Sequence, residues 1–320
     1  MDELQNKNQM ENLDKNDKNH SKIKHLVISG GGQTGLTFYG ILRESNKYGL
    51  WNIENIQSIY ATSIGSFIGV LLCLKYDWDT LDNYFIKRPW DKVFKFDLYS
   101  IINAFEKKGI FDIKLFEEMF SPLFLGVDIP LSITMKDFYD LTNIDLHIYT
   151  TELNNFELTD ISHTTHPEWR VIDAVYASST LPIVFSPFIL GEHCYIDGGT
   201  LLDYPIQKCL SSGASSHEIL GIFKENPIDN SSTSVNEKSN FFDYLIIIFK
   251  NIMTKILNLY KTEYEEKDTK IKHEIAVLDN FVSLDQMLSA ASSSEERQRL
   301  IHFGADLFSQ HIVNVLPKEY

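Results

Sequence analysis

The chain has 320 residues, is 43% apolar and carries a formal charge of -15 at pH 7, enough apolar material for one large globular domain or two ordinary ones. Its acidity opposes tight binding to nucleic acid, which needs a basic face, and weakens attraction to anionic membranes, so any lipid contact is expected to be apolar. Three widely spaced cysteines, Cys73, Cys194 and Cys209, suggest neither a disulfide framework nor a thiolate metal site and favour a reducing, intracellular setting.

Residues 1–22 form a polar arm of Asn, Lys, Asp and Glu with no apolar segment, expected to be disordered and to be neither a signal peptide nor a membrane anchor. The run Ile23 to Ser29 suits a first buried strand. It leads at once into Gly30-Gly31-Gly32-Gln33-Thr34-Gly35 and a helical pattern over Leu36 to Tyr48. Strand, glycine loop and helix together make a phosphate or oxyanion cradle, since glycines let N–H groups converge without side chains in the way. Gly30, Gly32 and Gly35 also satisfy a dinucleotide fingerprint, but that reading needs an acidic residue at the end of the second strand to hold the ribose. Glu54 precedes the strand, and Tyr60-Ala61-Thr62-Ser63 occupies its end. A purely structural glycine turn is the third reading.

Ile56 to Tyr60 reads as a second strand that stops at Ala61-Thr62-Ser63-Ile64-Gly65 before an apolar helix over Phe67 to Leu74. A serine on such a strand-to-helix turn is strained, projects its hydroxyl and needs small residues two positions to either side; Ala61 and Gly65 supply them. The helix points its amino end at the serine, so N–H groups there, beginning with Ile64, can stabilise developing negative charge. Ser63 is therefore a candidate nucleophile, against the alternative that it is only an N-cap.

From Asp77 to Asp140 the pattern is mostly helical, followed by a strand over Ile144 to Leu153 and a helix over Trp169 to Ser178 whose Val171, Ala174 and Val175 face the sheet. Ala177 to Pro187, with two prolines, predicts a rigid apolar loop that either lines a pocket or connects elements. Tyr195-Ile196-Asp197-Gly198-Gly199 ends a strand pair. Taken alone, Asp-Gly is a hairpin turn; Asp197 becomes a candidate base for Ser63 if desolvation raises its proton affinity, and Gly198 and Gly199 would let it enter a crowded cleft. Pro205 to Ser212 is a helix and Glu218 to Phe223 a final strand. Residues 225–240 are a polar linker, and Phe241 to Tyr260 is an apolar helix interrupted by Asp243, Lys250 and Lys255, hence no membrane span. It either docks on the domain or serves as an interfacial or substrate-entry helix. Ser293 to Glu296 has capping-box spacing before a last helix toward His311. His163 and His166 are spaced as a metal or triad pair would be, but lack a carboxylate pattern and read as a surface loop.

The glycine loop, the elbow and the Asp197-Gly198-Gly199 motif, in this order, resemble the patatin-like phospholipase family, as does the stretch from Ala177 through Pro182 and Phe185 to Pro187. The resemblance covers about Lys24 to Lys224. It implies a three-layer α/β/α domain over 23–224 with a mainly parallel sheet; outside the matched stretch, the pattern over 241–320 is that of a helical extension expected to pack on the domain. It also implies lipid acyl-ester hydrolysis by a Ser63–Asp197 dyad, with Gly30, Gly31, Gly32 and Ile64 as the oxyanion hole and no metal or cofactor. A lipid ester is the expected substrate, a transient membrane contact the expected mode of approach, and a cytoplasmic, peripheral location the expected setting, with no nucleic-acid partner. Three positions depart from the family pattern: Thr34 where a basic residue is usual, Ala61 for the first elbow glycine, and Asp203 for an asparagine after the aspartate motif. A catalytically weak lipid-binding module of the same family is the alternative function.

Overall fold

The computed structural model describes residues 23–95, 104–225, 241–264, 270–278 and 289–315, with positions 235, 237 and 239. The disordered arm expected over 1–22 and most of the linker expected over 225–240 lie outside the described residues. In chain order, β1 (His25–Ile28) runs through the glycine loop into α1 (Gly35–Lys47), and β2 (Ser58–Thr62) runs into α2 (Ile64–Cys73). Short helical turns at Trp78–Asp82 and Trp90–Val93 precede β3 (Gly109–Phe111), α3 (Ile113–Leu125) and α4 (Met135–Thr142). A hairpin, β4 (Asp145–Glu152) and β5 (Glu157–Ile161), leads to α5 (Val171–Ser179) and β6 (Ile183–Phe185). A second hairpin follows, β7 (Phe188–Leu190) and β8 (His193–Asp197), then α6 (Ile206–Ser211), β9 (Ile219–Glu225), α7 (Phe241–Tyr264), β10 (His273–Leu278) and α8 (Ser294–Val315).

Eight of the described strands form one sheet in the order β10-β9-β1-β2-β4-β8-β7, with β5 also on β4. The five from β10 to β4 are parallel, and β5, β8 and β7 pair antiparallel. Both faces are covered, which is why the central strands read as unbroken apolar runs. Leu26, Ile28, Ile59, Ala61, Leu146 and Ile148 point into the larger core. Val27, Tyr60 and Tyr149, one step out of phase, point into a smaller core closed by Cys209, Ile206 and Leu210 around α6. The result is a three-layer α/β/α domain with a mostly parallel sheet.

The C-terminal part carries a strand that sequence periodicity did not disclose, because β10 extends the sheet beyond β9 through His273↔Leu220 to Leu278↔Glu225. Its α8 is anchored by Arg297, a buried side chain that donates to the carbonyls of Phe85, Ile86, Arg88, Ala290 and Ala291 at 2.6–3.2 Å. Five donors on a planar fork satisfy five main-chain acceptors, which a shorter or uncharged side chain at this position does not do. Among the described residues no helix is long and apolar enough to cross a membrane.

Candidate active site

Strand β4 acts as a ruler that brings two distant motifs together. One of its edges pairs with β2 as far as Thr62↔Tyr149, and the same edge is taken over by β8 from Thr150↔Asp197 onward, while β5 occupies the opposite edge. Since β2 and β8 run toward each other along that edge, their ends meet. Ser63 follows the end of β2 and Asp197 is the end of β8. Ser63 Oγ donates to Asp197 Oδ2 at 2.7 Å across 134 positions of sequence.

The turn holding Ser63 is tight. Ser63 has φ 52° and ψ -125°, a region that costs a residue with a side chain about 1–3 kcal/mol. The strain is held by bonds on either side: its N–H donates to Ser178 Oγ at 2.8 Å, and its carbonyl accepts from Ser66 Oγ at 2.6 Å. Ser178 Oγ in turn donates to the Tyr149 carbonyl at 2.6 Å, tying the elbow to β4. Nothing in the sequence around Ser178 signals a partner 115 positions away. Ala61 is fully buried in β2, and Gly65 lies so close to β1 that an added Cβ would collide with the main-chain carbonyls of Ile28 and Ser29. Backbone atoms cannot yield as a flexible side chain does, so Gly65→Ala is expected to cost at least about 2 kcal/mol. A urea midpoint equal to that of the wild type would show that β1 and α2 do not need this close crossing.

Asp197 is buried. Its Oδ1 accepts the Gly199 N–H at 2.7 Å while Oδ2 faces Ser63. Desolvation pushes its carboxyl up to about 7, the negative charge of Asp203 adds to the rise, and the hydrogen bonds from Ser63 and Gly199 act in the opposite direction. A carboxylate of this affinity can take a proton from a serine hydroxyl near neutral pH. The Asp-Gly step is not the turn of a hairpin: β7 and β8 are joined at Gly191 and Glu192, and Gly198–Thr200 forms a 3-10 turn after β8.

The glycine loop sorts into two roles. Gly30, expected among the oxyanion donors, gives its N–H to the Asp203 carbonyl at 3.1 Å, so that donor is already used. It serves by close approach instead, since its missing Cβ would stand 3.3 Å from Ser63 Cβ. Gly32 takes φ 58°, which glycine adopts without penalty. No described residue accepts a hydrogen bond from the N–H of Gly31, Gly32 or Ile64. These groups border the cavity that also contains Ser63 and Asp197.

That cavity holds about 400 Å³ and is mostly apolar, walled by Phe67, Trp90, Phe116, Met119, Leu181 and Phe185. Helix α7 contributes Ile246, Phe249 and Met253 to the same wall. The histidines lie elsewhere. His163 stacks on Tyr139 with ring centroids 3.7 Å apart and pairs with Asp145 at 3.0 Å; His166 meets Thr165 Oγ1 at 3.0 Å; and His193 faces Glu152. Among the described residues no three His, Cys, Asp or Glu side chains converge as metal ligands would.

A family model described as patatin-like phospholipase matches residues 26–210. An uncharacterized protein of Acanthamoeba polyphaga mimivirus is 26% identical over 240 residues, spanning 74% of this chain and 78% of its own. A protein of Invertebrate iridescent virus 6 named a probable lipid hydrolase is 26% identical over 187 residues, 57% of this chain and 62% of its own. Among solved structures, VipD from Legionella pneumophila shares the fold with a TM-score of 0.52 at 16% identity, over 92% of this chain and 67% of that one.

Proposed function

The chain belongs to the patatin-like phospholipase family, and on that premise we propose that it is a lipid acyl hydrolase of the phospholipase A type, working through Ser63 and Asp197. The observation that supports this most directly is the 2.7 Å bond between Ser63 Oγ and Asp197 Oδ2 beside an apolar cavity of about 400 Å³. Ser63 Oγ attacks the ester carbonyl carbon while Asp197 takes the hydroxyl proton. The carbonyl oxygen becomes an oxyanion facing the N–H groups of Gly31, Gly32 and Ile64. Collapse breaks the carbon–oxygen bond to the alcohol, which leaves with the proton from Asp197, and the acyl group stays on Ser63. Asp197 then takes a proton from water, the hydroxide adds to the acyl carbon, and the fatty acid departs as Ser63 recovers its proton. The apolar wall suits the acyl chain, and the side-chain chemistry calls for no metal or organic cofactor.

Helix α7 suits a membrane contact as well as a wall. Ile246, Phe249 and Met253 face the cavity, whereas Phe241, Tyr244, Ile248 and Ile252, at helical spacing along another stripe, are exposed, Phe241 to 61% and Ile252 to 51%. A shallow apolar insertion would bring the cavity to the lipid without help from a chain of charge -15.

The test is release of free fatty acid from a panel of phospholipids and lysophospholipids, offered as vesicles, beside a soluble monomeric ester. Release from at least one lipid is expected; none from any lipid would defeat the reading. Ile248→Ser with Ile252→Ser is expected to lower the vesicle rate about tenfold while sparing the monomeric ester. Equal losses on both substrates would leave α7 as a wall alone.

A further inference from the structure

The turn after Asp197 reaches the ends of two other strands. Thr62 Oγ1 donates to the Leu202 carbonyl at 3.0 Å, and Gly30 N–H donates to the Asp203 carbonyl at 3.1 Å. Within the turn the N–H groups of Leu201 and Leu202 both donate to the Gly198 carbonyl, at 3.1 and 2.8 Å. The Asp203 carboxylate fills the space a Gly30 Cβ would take. A Cβ on Gly199 would stand 2.9 Å from Asp197 Oδ1 and 3.0 Å from Asp203 Oδ1, so the two carboxylates flank one glycine. Asp203 lines the cavity together with Ser63 and Asp197. Nothing in the hydrolysis as derived above requires a second acid here.

We propose that Asp203 is a positioning residue of the hydrolysis, locking the Asp197 turn to the glycine loop and adding a second negative charge beside the base. The proposal rests on the Ser63–Asp197 reading. The main-chain carbonyl of Asp203 ties the loop that receives the oxyanion to the turn carrying the base, and the charge of its carboxylate favours the protonated form of Asp197. Several other ionisable groups on the surrounding elements have partners away from the base. On β4, Glu152 accepts the N–H groups of Asn154, Asn155 and Cys194, and Tyr149 gives its hydroxyl to Asp160. On α5, Asp173 pairs with Arg170. Arg297 on α8 and Lys224 on β9 line the same cavity, and the Arg297 guanidinium is committed to main-chain carbonyls. Asp203 is the group whose charge adds to desolvation in raising Asp197.

The test is the pH dependence of Ser63 phosphonylation by a fluorophosphonate ester, in which the Oγ–P bond forms, the P–F bond breaks, fluoride leaves and Asp197 takes the proton. The full chain is used, as wild type, D203N, D203S and D203E. In the neutral variants the midpoint of the acid limb is expected to fall by about half to one pH unit, so that the rate at pH 6, as a fraction of its plateau, rises about three- to fivefold. D203E, which keeps the charge, is expected to keep the wild-type midpoint. An unmoved midpoint in folded D203N or D203S overturns the proposal, and so does failure of both to fold while D203E folds, which would leave the carboxylate a structural role alone. An acid limb present in the wild type but unmoved in the variants removes Asp203 alone. A wild-type rate flat from pH 5 to 9 removes Asp197 as the base, and this proposal with it.

Discussion

Ser63→Ala is expected to lower fatty-acid release by about 10⁴- to 10⁶-fold, the range seen when a catalytic nucleophile is removed. The fold should survive. The bonds that hold the elbow use the Ser63 N–H and carbonyl, to Ser178 and from Ser66, and both remain when the hydroxyl is gone. What is lost is one oxygen and its bond to the buried Asp197 carboxyl, so stability should fall by about 1–3 kcal/mol, the cost of a buried acceptor left without its donor. The measurement is the release rate on the most responsive lipid, with circular dichroism and a urea midpoint on the same preparation. Turnover within tenfold of wild type would assign the chemistry to another group.

Asp197→Asn is expected to cost about 10³- to 10⁴-fold in rate and, at the same time, to stabilise the protein at alkaline pH. Burial has raised this carboxyl from its ordinary 3.8 to about 7. Between those values the folded chain keeps a proton that the unfolded chain releases, so the free energy of unfolding falls as pH rises through the window and levels off above it. The wild type therefore carries, at pH 8, a penalty of a few kcal/mol that is absent near pH 4. Asparagine cannot ionise and escapes that penalty. The urea midpoint of the variant relative to wild type should accordingly rise from pH 5 to pH 8. In the wild type, kcat/KM should climb over the same range, with an apparent midpoint near 7, because only the ionised carboxylate accepts the serine proton. A variant no more stable than wild type at pH 8 would mean that Asp197 is not buried as a charge.

The parts of this arrangement that were legible in the sequence are those set by neighbours in the chain. A β-branched run ending in Ala61-Thr62-Ser63-Ile64-Gly65 and then an apolar run fixes a strand, a tight turn and a helix, because each choice is local. The glycine loop after β1 is legible for the same reason. What lay beyond reach depends on register. That Asp197 stops opposite Thr150 while Thr62 stops opposite Tyr149 is a property of how three strands share β4, and no window of sequence contains it. The role of Gly30 was likewise hidden, since the acceptor of its N–H is the Asp203 carbonyl far along the chain. Strand β10 escaped notice because a six-residue run does not distinguish strand from helix by period. The apolar excess of α7 was visible in its composition; which stripe faces the cavity and which faces solvent was not.

The measurement that tests the central claim most directly is the site of covalent labelling by a fluorophosphonate lipid analogue at pH 8, mapped by peptide mass analysis and repeated on Asp197→Asn. A single adduct on the peptide carrying Ser63, formed at least about 10²-fold more slowly in Asp197→Asn, is the predicted result. An adduct on another serine, such as Ser178 or Ser179, or labelling of Ser63 at an unchanged rate without the Asp197 carboxylate, would contradict it.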